Sequence, residues 1–525
     1  MSQTRTLKTA RSTATTTAGP GSGADGAKAP GKGLAAGQLG LLAVIVIGIS
    51  TIAPAYVLTS TIGPTVAAVG THLPAIFIVG FIPMFLVALG YRELNADSPD
   101  SGTTFTWVTK AFGPFVGWMG GWGLLAANII VLSNLAGVAV DFFYLFLSQL
   151  TGQEWIAALA ADKVINVATC LVFVAIAVWV SCRGVKTTKS VQYALVGFQI
   201  LVLAWFVVGA FAKVASGQAA TGLAFDWAWF NPLDIGSFSA FAAGLSLSIF
   251  SFWGWDLCLT MSEETTNSKK TSGRAATLVA VAILVVYLLG SIALLMFAGV
   301  GDTGVGLTNP DIAENVFTAI ASPVMGPFAI LLSLAVLSSC GASLQSTFVS
   351  PARGLLAMGY YKALPASFAR VNPHLKSPVF ATVVAGVVSA GFYALMRFAS
   401  DNVLNDTIQA LGLMICFYYG LTALACVWYF RHSWFTSARN VFFRLLFPLL
   451  GGVGLAVVFL QTAVDSWDPA FGSGSEVFGV GLVFVIGVGI IALGLVVMAL
   501  VYRRMPGFFR GETLRQDTPA LVVEE

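Results

Sequence analysis

Apolar runs about 20 residues long recur along this chain, and no other feature limits its folding options as far. A run of that length makes about 30 Å of helix, the thickness of a bilayer core. Twelve runs are expected to span, at about 38–69, 73–94, 113–147, 163–182, 187–213, 237–262, 275–300, 326–356, 378–397, 407–430, 441–464 and 477–502. The first, third, sixth and eighth exceed what a bilayer needs, which implies tilt, extension beyond it, or a break. The runs do not alternate with period two, which excludes an outer-membrane barrel. Charged residues make up 10% of the 525 and hydrophobic ones 57%, whereas a soluble domain carries about 25% charge. The class is therefore an all-α integral membrane protein.

The basic residues test this topology. With the N-terminus in the cytoplasm, 24 of the 27 Lys and Arg fall on cytoplasmic segments, leaving Lys163, Lys213 and Arg397 outside. That asymmetry follows the positive-inside rule and predicts a multi-pass protein of the cell (inner) membrane with both termini cytoplasmic. Residues 1–33 lack an apolar core for a signal peptide, and their Gly-Pro-Gly-Ser-Gly run at 19–23 suits a disordered cytoplasmic tail. Residues 34–503 form the membrane domain and 504–525 a second cytoplasmic tail. The six cysteines contain no C-x-x-C pair, and His72, His374 and His432 sit in loops or at span ends. No metal site, cofactor or enzyme centre is expected from them, and no nucleic-acid partner.

Two spans carry helix breakers at mid-depth. The first reads LLAVIVIGISTIAPAYVLTSTIGP, with Gly48, Ser50, Thr51 and Pro54 in its middle. Proline lacks an N–H and suits only the first turn of a helix, so Pro54 marks the start of a second half-helix. The sixth reads FSFWGWDLCLTMSEE from Phe250, with Ser251, Gly254 and Asp256 in the apolar part. A carboxylate in hydrocarbon costs about 2.5–3.5 kcal/mol on insertion scales, so Asp256 is expected to face a cavity, a partner or a substrate. Interrupted spans at matching positions of two five-helix halves point to a midplane substrate site. Asp141, in the outer part of span three, either steers a cationic substrate or reaches the interface. Tyr418, Tyr419 and Asn128 are expected to pack.

Three segments resemble the bacterial amino acid permeases of the amino acid–polyamine–organocation superfamily. They are YRELNADSPDSGTTFTWVTKAFGPFVGWMGGW between spans two and three, SEETTNSKKTSGRAA after span six, and SPARGLLAMGYYKALPASFARVNPHLKSP at span eight. The second has Ser268 and Ser272 where the family usually has prolines. The resemblance covers nearly all of 38–500. It implies a leucine-transporter-like 5+5 inverted repeat with broken helices 1 and 6. The first repeat would lie at about 38–213, the second at about 237–430, with two further helices at about 441–502.

The resemblance also implies secondary active transport of an amino acid or related amine by alternating access. Carried over by position, Ile49, Ser50, Thr51, Ile52 and Ala53, with Phe250, Ser251, Phe252, Trp253 and Gly254, would bind substrate, largely through backbone groups. Asp256 matches a position that is acidic in related exchangers, and would handle a proton or a cationic substrate. The coupling ion would be H+ or Na+. Ser338 and Ser339 match hydroxyls of a sodium site to which carbonyls near Gly48 would add. Gln199 stands where some proton-coupled relatives carry a lysine. A polyamine or amine exchanger, or a nutrient sensor that does not transport, would use the same fold. The partners implied are the small-molecule substrate and the lipid bilayer; the oligomeric state stays open.

Overall fold

The computed structural model describes residues 31–312, 315–400 and 403–521, omitting the side chains of 185–188 and 403. Residues 1–30 of the expected N-terminal tail and residues 522–525 of the C-terminal one lie outside the described residues. In chain order the helices are α1 (Leu41–Ile52), α2 (Pro54–Val69), α3 (Leu73–Asp97), α4 (Thr104–Phe112), α5 (Pro114–Thr151), α6 (Trp155–Ala158), α7 (Lys163–Cys182), α8 (Val185–Ala215), α9 (Phe238–Ser251), α10 (Leu257–Thr260), α11 (Ser268–Ala298), α12 (Val316–Met325), α13 (Ile330–Thr347), α14 (Val349–Tyr360), α15 (Val379–Ala399), α16 (Val403–Tyr429), α17 (Ala438–Asn440), α18 (Phe447–Asp465), α19 (Leu482–Arg504) and α20 (Pro506–Phe509). A two-stranded antiparallel hairpin, β1 (Glu476–Val477) and β2 (Val480–Gly481), precedes α19.

Ten described helical runs are long and apolar enough to cross a membrane. The run Leu41–Asp97 holds the first two expected spans, and the sixth is the shorter apolar helix Phe238–Ser251. Every expected span therefore has a helix. Among the elements not expected from the sequence, two lie beside the spans. The loop after α3 contains the amphipathic α4, and α12 precedes the eighth span.

The two halves interlock through corresponding members. The broken pair α1–α2 lies against the broken pair α9–α10, α3 against α11, α5 against α13, and α7 against α15. Small residues permit this closeness: a Cβ on Gly80 of α3 would fall 2.1 Å from Ser248 Oγ of α9. Such stripes of small residues are how membrane helices pack where no hydrophobic force separates lipid from protein. Helices α18 and α19 stand outside this core, packed on α3 and α16.

The described segments before α1 and after α19 fold onto the same end of the bundle. Before α1, the N–H groups of Gln38 and Leu39 donate to Glu264 O at 2.8 and 3.0 Å, and Leu39 bridges Thr265 as a parallel strand pair. After α19, Phe508, Phe509 and Leu514 bury themselves against Phe105, Trp118 and Tyr361. Thr513 Oγ1 donates to Tyr361 O, and Lys110 Nζ to Thr518 O. The segment read as a second tail is thus packed through residue 521.

Candidate functional site

In the first interrupted span the helix runs through Ser50, Thr51 and Ile52 and breaks at one residue. Ala53 takes φ 57° and ψ 62°, the left-handed region, and Pro54 begins α2. The break thus sits at the C-terminal edge of the expected Ile49–Ala53 stretch. A helix would pair Ser50 O with the N–H four residues on, but that residue is Pro54, which has none. Hydroxyls of α13 supply what the backbone lost. Ser343 Oγ donates to Thr51 O at 2.9 Å, Thr51 Oγ1 donates to Ser346 Oγ at 3.0 Å, and Tyr56 N–H donates to Ser339 Oγ at 3.4 Å.

The second break spans Phe252–Asp256, between α9 and α10. Gly254 has φ +107°, which L side chains rarely adopt. A Cβ there would sit 3.1 Å from Thr51 Cγ2 and 3.4 Å from Ile52 N, so the two breaks touch each other. Ser251 O, freed by the ending of α9, accepts from Tyr287 OH at 2.8 Å. Phe250, Phe252 and Trp253 are buried. Trp253 Nε1 donates to Tyr418 OH at 2.5 Å, and Phe252 packs edge-on against Phe77 and Tyr287.

Asp256 is 3% exposed. Its Oδ1 accepts from Tyr419 OH at 2.8 Å, and its Oδ2 has no partner among the described residues. Tyr419 stacks on Trp255 with ring centroids 4.8 Å apart and meets Tyr91 edge-on at 5.6 Å. Tyr91 OH in turn reaches Thr104 Oγ1 at 2.9 Å. Tyr418 and Tyr419, expected to pack rather than to make contact, both hydrogen-bond into the α9–α10 break. Asn128 turns back on its own helix, Nδ2 to Leu124 O at 2.7 Å.

The trio Gly48, Ser338 and Ser339 is not brought together. Gly48 faces Cys258 and Val279, where a Cβ would lie 2.7 Å from Cys258 Sγ. Ser338 Oγ donates to Ala335 O on its own helix, and Ser339 faces Tyr56 N–H. The hydroxyls that meet Thr51 itself come from Ser343 and Ser346, one to two turns further along α13, because that is where α13 crosses Thr51. Gln199 is fully buried, with neither amide atom hydrogen-bonded among the described residues.

The two ends of the bundle differ in access. At the end away from the chain termini, a cavity of about 720 Å³ descends between α2, α9 and α16 to Ser60 and Leu247. One helical turn below that floor lie Tyr56 and Phe250, each 2% exposed. A second cavity of about 390 Å³ shares Asn315 and Leu404 with the first and is lined by Asp141, Asn166, Tyr393 and Arg397. Asp141 thus lines a polar side chamber, with Oδ1 accepting from Asn166 Nδ2 at 3.4 Å.

The opposite end is sealed by buried charge. Lys32 Nζ lies 2.9 Å from Asp100 Oδ1 and 2.5 Å from Glu263 Oε1. Asp100 also accepts from Gly102 N–H, Thr106 Oγ1 and Tyr361 OH at 2.7–2.8 Å. Arg353 of α14 pairs with Glu264 at 2.5 Å. Burial works against the charge on Lys32, but Asp100 and Glu263 outweigh it and hold the ammonium above the usual lysine range. Burial likewise opposes ionisation of Asp100, and Lys32 with its hydrogen bonds brings the carboxyl below the usual range.

The profile of a family described as amino acid permease matches residues 39–491. The branched-chain amino acid permease BcaP of Bacillus subtilis is 26% identical over 368 residues, 67% of this chain and 73% of that protein. The low-affinity putrescine importer PlaP of Escherichia coli is 21% identical over 435 residues, 82% and 89% respectively. The vacuolar cationic amino acid transporter 4 of Arabidopsis thaliana is 23% identical over 397 residues, 72% of this chain; the match spans 62% of that relative's length. The crystal structure of MhsT in complex with L-phenylalanine superposes with a TM-score of 0.58, covering 80% of this chain and 98% of that one, at 16% identity. The fold is thus leucine-transporter-like.

Tyr419→Phe removes the hydroxyl that donates to Asp256 Oδ1 and should lower stability by about 1–3 kcal/mol, read as a lower midpoint of thermal unfolding; an unchanged midpoint would show that Asp256 does not depend on this phenol. Lys32→Met leaves two buried carboxylates without their cation and should cost about 3–5 kcal/mol. The pH dependence follows from the shifts. The stabilisation from Asp100 is complete above the ordinary carboxylate pKa and is lost as pH falls through its lowered folded value. That from Lys32 is complete below the ordinary lysine pKa and is lost as pH rises through its raised one. The wild-type advantage over Lys32→Met should therefore be flat across neutral pH and shrink at both extremes.

Proposed function

We propose that this chain, which belongs to the amino acid permease family, is a secondary active transporter that moves an amino acid or a related amine across the cell membrane by alternating access. The family is one of transporters rather than enzymes, and the protein is multi-pass in the membrane. The observation that carries the reading is the contact between the two breaks at Thr51 and Gly254, both buried deep among membrane helices. There the C-terminal ends of α1 and α9 present carbonyls, and the start of α2 presents N–H groups. Partial negative charge at the former suits an ammonium, and partial positive charge at the latter suits a carboxylate. Ile49–Ala53 and Phe250–Gly254 are the contact residues of this reading, with Tyr56 and Phe250 as the lid beneath the open cavity.

In this reading α1–α2, α3, α9–α10 and α11 rock against the remaining helices. The pairs Lys32–Asp100 and Arg353–Glu264 join the moving set to the static set and form the inner gate. Both termini are cytoplasmic, the side on which Lys and Arg collect. The conformation is then closed to the cytoplasm and open on the far side down to Ser60 and Leu247. The uncommitted Oδ2 of Asp256 favours a second role there, accepting a coupling proton or the amine of a cationic substrate. The relatives, which include a branched-chain amino acid permease and a putrescine importer, accommodate both substrate classes.

Purified protein screened by thermal shift against amino acids and polyamines should be stabilised by at least one of them, by about 2.7 kcal/mol at a concentration 100 times Kd. No shift with any amino acid or amine would sink the substrate assignment. In reconstituted vesicles, Asp256→Asn should flatten the pH dependence of uptake if Asp256 carries the proton. It should instead weaken cationic substrates selectively, by about tenfold, if Asp256 receives an amine. Unchanged pH dependence together with unchanged substrate preference removes both roles.

A further inference from the structure

A third cavity, of about 410 Å³, opens at the end of the bundle that carries the chain termini. Arg183 from the α7–α8 turn and His374 and Lys376 from the loop before α15 line one side, and the segment Leu34–Gln38 lines the other. The geometry is built by backbone. Gly184 has φ +86°, and a Cβ there would fall 2.8 Å from Leu375 O, so the two loops touch. Asn372 Oδ1 accepts the N–H groups of His374 and Leu375 at 3.0 Å, and Asn372 O accepts that of Lys376 at 2.8 Å. This fixed turn presents His374 and Lys376 to the cavity that Arg183 enters from α7.

Among the described residues, none of these three side chains is paired with a carboxylate. Arg183 instead lies over the Trp179 ring, 4.2 Å from guanidinium carbon to centroid. Two cations and an imidazole N–H lining one cavity, exposed at its mouth, suit an anion, and guanidinium plus ammonium suits a phosphate in particular. The flank names the source of that phosphate. Trp179 is 58% exposed, and Val172 and Ile176 above it on the same helix are 56% and 54% exposed, a continuous apolar strip running up α7 from the cavity mouth. A tryptophan at the end of such a strip marks the level of lipid headgroups. A free phosphate has no use for the strip, whereas a phospholipid occupies both parts.

We propose that this cavity binds the headgroup of an acidic phospholipid, with Arg183 and Lys376 on the phosphate, His374 donating a further hydrogen bond, and the acyl chains along α7. The opposite wall gives the site a consequence. Leu34–Gln38 connects Lys32, bound to Asp100 and Glu263, with Leu39, bound to Glu264 O. A headgroup seated against this segment steadies it, so lipid occupancy and closure of this end are linked.

The test uses the full chain in a neutral detergent and follows thermal unfolding during titration with dioctanoyl phosphatidylglycerol, dioctanoyl phosphatidylcholine, or inorganic phosphate. Phosphatidylglycerol should raise the midpoint, and the other two should not. In Arg183→Gln/Lys376→Gln its apparent affinity should fall by roughly tenfold or more, while Arg503→Gln/Arg504→Gln, at an exposed basic pair on the same end, should keep the wild-type response. Equal stabilisation by phosphatidylcholine overturns the headgroup assignment, and equal stabilisation by inorganic phosphate overturns the lipid source. An undiminished response in Arg183→Gln/Lys376→Gln overturns the site. Should that double variant elute as aggregate, Lys376→Gln alone must still weaken the phosphatidylglycerol response, and its failure to do so counts against the proposal equally.

Discussion

A backbone group without a partner costs several kcal/mol in hydrocarbon, and the rest of this structure is organised around two places where the backbone gives such groups up. Ala53 and Pro54 interrupt one helix, and Phe252–Asp256 interrupts another. The remedy comes from distant helices: Ser343 from α13 for Thr51 O, Tyr287 from α11 for Ser251 O, and Tyr419 from α16 near Gly254 N–H. These loans cross between the two halves or between pieces of the second. They hold the breaks in register. Gly254 is essential to the arrangement, since any side chain there would push against Thr51 and Ile52.

The charge at the opposite end follows a different rule. Lys32, Asp100, Glu263, Glu264 and Arg353 are all nearly excluded from solvent. Burying five ionic groups is expensive, so the network adds little stability over apolar packing of the same volume. What it provides is a choice of which segments meet: Lys32 joins the stretch before α1 to Asp100 and Glu263, and Arg353 joins α14 to Glu264. Burial still holds the Glu264 carboxyl above its usual range although Arg353 pulls it down.

Much of the fold was legible because the signals are local. Run length sets the spans, Pro54 places the first break to within a residue, and Gly254 beside Asp256 marks the second. The partners of those breaks were not legible. A serine in an apolar helix reads the same whether it bonds its own turn, as Ser338 does, or a neighbouring helix, as Ser343 does. Only the crossing point of α13 over Thr51 distinguishes them. Tyr418 and Tyr419 read as packing residues for the same reason. Lys32 lay at the end of a low-complexity stretch whose composition suits disorder, and nothing in sequence ties it to carboxylates 68 and 231 positions away. The helix α4 was hidden because the segment that forms it is short and reads as a loop between spans.

The packed C-terminal segment constrains the order in which the molecule is made. The sealed end draws on Lys32, Asp100, Glu263 and Arg353, and Phe508, Phe509, Leu514 and Thr513 then close over Tyr361, whose hydroxyl holds Asp100. A ribosome delivers these parts across almost the whole length of the chain. Without Phe508, Phe509 and Leu514 in place, the surface around Phe105 and Trp118 lacks its cover. Removing the segment after α19 would therefore leave the surface around Phe105, Trp118 and Tyr361 apolar and bare, although every membrane helix would still be present.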